Sequence, residues 1–156
     1  MSYKEKTFTI IQDTREQHPW KFPEEDFCNV EIGKLDTGDY TIKGMENSLC
    51  IERKATSNEV ALNVCEVRFQ REIERMLTYK HKFIICEFSY STLLKYPYEA
   101  GIPQNRILQV RINVNFILKK LFEYQTQGIH VLFCDNPKNA AHAAFNIMKR
   151  VVGTNV

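Results

Sequence analysis

The spacing between Gly38-Asp39-Tyr40 and Ile51-Glu52-Arg53-Lys54 constrains this chain more than any other feature. The two segments read as short strands, near 39–43 and 49–54, which must lie side by side if Asp39 is to meet Glu52 and Lys54. Side chains on a strand alternate with period two, so Glu52 and Lys54 share a face. Arg53 points the other way in a regular strand and should pair with a neighbouring acid. Two carboxylates are hard oxygen ligands suited to Mg²⁺ or Mn²⁺. A phosphodiester needs such a cation to neutralise its charge and to lower the pKa of an attacking water, which Lys54 would orient or help deprotonate. An acid-x-Lys pair is also an ordinary hairpin salt bridge, so the pair alone decides nothing.

A third segment adds weight. Residues 7–12 alternate and are rich in β-branched residues, the pattern of a strand. The strand runs into Asp13-Thr14-Arg15-Glu16, and the ends of sheet strands are where α/β folds collect their sites. Together, these three segments resemble the nuclease domain of the XPF-type structure-specific endonucleases. Arg68-Phe69-Gln70 falls on the following helix, where that family carries an Arg and a Gln. Residues 83–88 and 129–135, with the helix at Pro137, resemble its later strands and last helix, so the resemblance covers nearly the whole chain.

The resemblance implies a restriction-endonuclease-like PD-(D/E)xK fold, α/β, with a mixed central sheet flanked by helices. It implies a Mg²⁺- or Mn²⁺-dependent endonuclease acting on branched or junction DNA in repair or recombination. Asp39 and Glu52 would be metal ligands, Lys54 the catalytic lysine and Arg53 a required helper. Asp13 and Glu16 would be second carboxylates near the metal, Asp13 among its ligands, and Arg15, Arg68 and Gln70 would contact DNA. One departure stands out. The family motif continues to an Asp where this chain has Asn58, which brings no charge and cannot act as a base. Glu59 is adjacent, but one residue along a helix is about 100° of rotation, so it would not simply replace that acid. Asn58 favours the competing reading, a DNA-binding or scaffold subunit that keeps the fold without turnover.

At 156 residues and 44% hydrophobic content, the chain suits one compact nuclease domain with one good core. No helix-hairpin-helix or helicase segment is recognisable, and a targeting protein could supply what such segments provide elsewhere. No run approaches the roughly 20 apolar residues that span a bilayer, and Met1 to Lys6 lack the apolar run of a signal peptide, so an intracellular, soluble protein is expected. Five scattered cysteines without a Cys-x-x-Cys pair argue against zinc and for structural thiols. Of the charged residues, 13 basic and 16 acidic lie before Lys95, against 8 basic and 3 acidic from there on. An acidic half for a metal and a basic half for phosphates is one reading, and ordinary solvated charge is the other.

The remaining pattern predicts a helix over 58–79, in which Arg68 either meets phosphate or pairs with Glu72, and a buried strand over 83–88. Trp20 and Phe22, in a loop running to Pro23, either stack on a base or pack inward. A further helix is predicted over 107–124, apolar round much of its circumference. The last helix starts at Pro137 behind an Asn136 cap. A helix apolar on so many sides wants cover on two of them, which predicts a homodimer through the C-terminal helices, with packing inside one chain as the alternative.

Overall fold

The computed structural model describes residues 7–22 and 28–154; Met1 to Lys6 and Pro23 of the expected loop lie outside the described residues. Six strands form one sheet: β1 (Phe8–Asp13), β2 (Cys28–Gly33), β3 (Tyr40–Ile42), β4 (Leu49–Lys54), β5 (His81–Cys86) and β6 (His130–Phe133). Their order is β2-β1-β3-β4-β5-β6. The pairs β1–β3 and β3–β4 are antiparallel, and β1–β2, β4–β5 and β5–β6 are parallel. β5 has a parallel neighbour on each side, and its Ile84, Ile85 and Cys86 are buried, as sheets covered on both faces require.

The single core expected is divided by the sheet into two. On one face, Cys50 and Ile84 pack with Val60, Phe69, Ile73, Met76, Ile117 and Leu121. On the other, Ile51 and Ile85 pack with Tyr40, Ala144, Phe145 and Met148. The period-two alternation of β4 and β5 assigns neighbouring residues to opposite cores. Each large side chain so buried contributes about 1.5–3 kcal/mol.

Two predicted helices are each interrupted. Residues 58–79 form α1 (Ser57–Asn63) and α2 (Val67–Met76). Thr56 caps α1 by accepting from the Glu59 N–H at 3.2 Å. The chain then tightens, with Cys65 N–H donating to Leu62 O and Glu66 N–H to Asn63 O, and turns extended at Glu66 before α2 begins. Residues 107–124 likewise divide. A 3₁₀ turn over Gln104–Gln109 is followed by extended chain and then α4 (Val114–Thr126), which starts where Asn113 Oδ1 captures the Asn115 N–H at 2.7 Å. Leu108, within the helix predicted over 107–124, is 90% exposed. An unpredicted short helix, α3 (Tyr90–Leu94), is capped by Ser89.

The last helix, α5 (Pro137–Thr154), begins as read, with Asn136 Oδ1 accepting from the Asn139 N–H at 2.8 Å. Ala140, Ala141, Ala144, Phe145, Met148 and Val151 are buried inside the chain, the alternative weighed for this apolar face. Of the large apolar side chains left exposed near the C-terminal half, Leu108, Phe116 and Phe122 lie on the 3₁₀ turn and α4. All five cysteines are free, with Cys50 and Cys86 buried. Among the described residues, no helix is long and apolar enough to cross a membrane.

Candidate active site

Asp39 sits where three strands end. Its N–H donates to Ile51 O and its carbonyl accepts from the Asp13 N–H, both at 2.8 Å, tying β1 to β4 through one residue. Gly38 makes this possible. It has φ +81, and a Cβ there would meet Cys50 Sγ at 2.7 Å and Ile51 O at 3.0 Å, so only glycine brings the chain this close to β4. β4 itself changes character along its length. Leu49, Cys50 and Ile51 are core residues, and Glu52, Arg53 and Lys54 follow where the strand leaves it.

Glu52 and Lys54 face an open cleft of about 630 Å³, lined also by Asp39, Glu59 and Glu72. Eight acidic and four basic residues line it, a balance that repels a phosphate unless a cation intervenes. Glu52 Oε1 accepts from Lys54 Nζ at 3.0 Å, while Glu52 Oε2 is buried with no partner among the described residues. Burial drives the Glu52 pKa well above the ordinary carboxylate range, Lys54 opposes the shift, and Asp39 and Glu72 add to it. Asp39 Oδ2 accepts from the Arg53 N–H at 2.8 Å. Burial still lifts the Asp39 pKa to about 7. For Lys54, burial works against the charge, but Glu52 and Glu59 outweigh it and raise the pKa. Lys54 is therefore held as a cation, suited to orienting a water or phosphate and unsuited to removing a proton.

Do these residues fit a divalent cation? The donor set is hard oxygen, and the unpartnered Glu52 Oε2 is a buried acceptor awaiting positive charge. Among the described residues, no three Asp, Glu, His or Cys side chains stand close enough together, as they are, to hold one. The acids repel each other, and Lys54 and the Arg53 N–H occupy one oxygen each of Glu52 and Asp39. The chemistry of the donor set thus suits a divalent cation, while the side chains as they stand do not enclose one.

Arg53 lies on the opposite side of β4, as alternation requires, and is fully engaged. Its guanidinium pairs with Glu16 at 3.0 Å, with Glu87 at shorter range, and donates to the His18 carbonyl. Burial opposes its charge, but Glu87 and Glu16 prevail and raise its pKa. Glu87 also accepts from Trp20 Nε1. The Trp20 ring is buried, stacked on Tyr40 at 4.7 Å and crossed edge-on by Phe22, so these aromatics pack inward. Tyr40 in turn donates from its hydroxyl to Glu16 at 3.1 Å. Arg53 thereby clamps the segment 16–20 onto the sheet.

Other predicted residues fall differently. Asp13 has no exposed side-chain surface; Oδ1 accepts from the Leu35 N–H at 2.9 Å and Oδ2 from Arg15 Nε at 2.6 Å. Burial would raise its pKa, but these donors lower it overall. Its oxygens are spent on holding the loop after β2, unlike those of Glu52. Arg15 is tied to Asp13 yet 71% exposed at the cleft. Arg68 is exposed beside the cleft and pairs with Glu66 instead of Glu72. Gln70 is exposed and does not line the cleft. Nor does Asn58, so its neutrality removes no charge from the lining. Glu59 does line it and reaches Lys54 Nζ at 3.5 Å, because α1 is a separate helix capped at Thr56 and its first turn faces β4.

Two acids escaped the sequence reading. Glu87 follows the apolar run of β5, and its N–H donates to Lys54 O at 2.8 Å; an acid just past a buried strand, level with the Glu-x-Lys end, was the available signal. Glu72 lies beside the buried stripe Phe69, Ile73 and Met76 of α2, an acid flanking an inward face.

The mixed sheet with helices on both faces and carboxylates at the end of β4 defines a restriction-endonuclease-like α/β fold. The profile of the ERCC4 domain matches residues 12–147, and the chain belongs to the ERCC4 domain family. Among solved structures, XPF from Aeropyrum pernix is similar, with a TM-score of 0.66, 21% identity, and 94% of this chain and 66% of that chain covered. Its complex with DNA gives a TM-score of 0.64 and 20% identity, covering 94% of this chain and 65% of that one. The chain therefore spans just under two thirds of those relatives' length. No curated protein matches the sequence significantly.

Proposed function

We propose that the protein is a divalent-metal-dependent endonuclease that hydrolyses DNA phosphodiesters. The observation that carries this reading is the unpartnered, buried Glu52 Oε2 beside Asp39 and Lys54 in an acid-rich cleft. Membership of the ERCC4 family and the fold shared with a DNA-bound XPF support it. Asp39 and Glu52 would hold Mg²⁺ or Mn²⁺, which when bound neutralises phosphate charge and acidifies a water. Lys54, kept cationic by Glu52 and Glu59, orients the scissile phosphate and the water. Arg15 and Arg68, exposed at the rim, meet neighbouring phosphates. Arg53 acts at one remove, holding the 16–20 segment that forms one wall.

Branched or junction DNA in repair or recombination is the substrate this family resemblance favours. A homodimer would use the exposed Leu108, Phe116 and Phe122 in preference to α5, and a targeting protein could contribute recognition. Cleavage of labelled flap, fork, four-way junction, single-stranded and plain duplex DNA in Mg²⁺, Mn²⁺ or EDTA, with wild type beside Glu52→Gln, tests the reading. Metal-dependent cutting lost in the variant supports it. Equal DNA binding by both proteins with no cutting would make the chain a DNA-binding subunit instead.

A further inference from the structure

We propose that Glu72 is the third carboxylate of the divalent-cation site, supplied from α2 to complete Asp39 and Glu52. The inference rests on the metal-site reading above and deepens it. α2 exists as a separate helix because the chain breaks at residues 64–66, and the new helix axis carries Glu72 into the cleft. There, Glu72 Oε1 accepts weakly, at 3.4 Å, from the N–H of Gly38, the residue before Asp39. Its carboxyl lines the same cleft as those of Asp39 and Glu52.

Glu52 supplies the independent observation. Its side chain is 8% exposed, Oε1 is held by Lys54, and the buried Oε2 has no donor among the described residues. A buried carboxylate oxygen without a donor, in a cleft shared with a second carboxylate, is unfavourable without a cation nearby. Among the described residues, the hydrogen bond that Glu72 would give up is the long one from Gly38, so a cation can draw it toward Glu52. Asp13 cannot play this part, because N–H donors occupy both its oxygens. Glu59 is already committed, through Oε2 to the Ala55 N–H and through Oε1 to Lys54.

The test is Mn²⁺ titration of the full chain by calorimetry, with wild type, Glu52→Gln, Glu72→Gln and Glu72→Ala. Water-proton relaxation of the bound Mn²⁺ and melting in EDTA accompany it. The proposal expects binding to be lost in Glu52→Gln and weakened by at least about tenfold in both Glu72 variants. Their bound Mn²⁺ should gain a water where the carboxylate was, a change that loss of a distant charge would not produce. Melting in EDTA should be unchanged or higher, because repulsion of Asp39 and Glu52 is relieved. Wild-type affinity and hydration in the Glu72 variants, with Glu52→Gln still defective, would overturn the role of Glu72 and leave the metal site standing. A lower melting point with unchanged Mn²⁺ affinity would make Glu72 a support for Gly38 and overturn it equally. Failure of wild type to bind Mn²⁺ would overturn both readings.

Discussion

The two sides of the last three residues of β4 are built on opposite principles. On the Arg53 side every strong charge is answered: Glu16 and Glu87 face the guanidinium, Trp20 and Tyr40 donate to those same acids, and the ring stack seals the cluster. On the Glu52 side the acids outnumber the bases, one buried oxygen has no partner, and Asp39 is so poorly solvated that its pKa reaches about 7. Satisfied charge specifies a structure, whereas unsatisfied charge in a cleft is stability given up for a ligand. One strand thus separates scaffold from the proposed metal side simply by alternation.

The contrast breaks most sharply through paired substitutions. Glu52→Gln should reduce cleavage by about a thousandfold or more, because a cation site supplies several kcal/mol of transition-state stabilisation. Its melting point should move little, since Lys54 keeps an acceptor at position 52 and the Glu59 carboxylate. Arg53→Ala should do the reverse in stability. It leaves Glu16 and Glu87 facing each other's surroundings without a cation, and removing one partner of such a buried cluster costs about 3–5 kcal/mol. Urea denaturation of both variants beside wild type checks the pair. Equal destabilisation by the two would mean that both sides are scaffold.

This division explains what could be read from the sequence. Period two alone placed Glu52 with Lys54 and turned Arg53 away, whereas the close approach at Gly38 appears only with its φ and its neighbours Cys50 and Ile51. Asn136-Pro137 announced α5 because cap and first residue are local chemistry. What failed was non-local or depended on a helix break. A continuous helix over 58–79 hides Glu72 among surface charges, and the resemblance puts Asn58 where the family motif has an acid. Once Glu66 turns extended and α2 starts afresh, Glu72 and Glu59 line the cleft and Asn58 does not. The resemblance implies that Asp13 is a ligand, and its place at a strand end agrees with a site there. Only the fold reveals that Leu35, 22 residues on, occupies its Oδ1.

The unsatisfied side should also leave a signature in pH. A buried Asp39 whose pKa is raised from 3.8 to about 7 holds a proton in the folded state that the unfolded chain has lost. The folded state then binds more protons between those values, so stability without metal should fall as pH rises from about 4 to 7 and level off above. Glu52, shifted in the same direction by burial, steepens the fall. Thermal melting in EDTA across this range measures it, and Asp39→Asn should flatten the curve. A slope of the opposite sign would mean that the cleft carboxylates are already neutralised by their neighbours.

The smallest effect sharpens the comparison furthest. If charge on the cleft side matters only where it lines the cleft, Asn58→Asp adds a carboxylate outside the lining. It sits in the first turn of α1, where the helix dipole favours an acid by about 0.3–1 kcal/mol. Cleavage and Mn²⁺ affinity should therefore be unchanged while the melting point rises slightly. A gain in turnover from Asn58→Asp would instead mean that α1 rotates its first turn into the site when the cation binds. The boundary between scaffold and chemistry would then run through α1 as well as along β4.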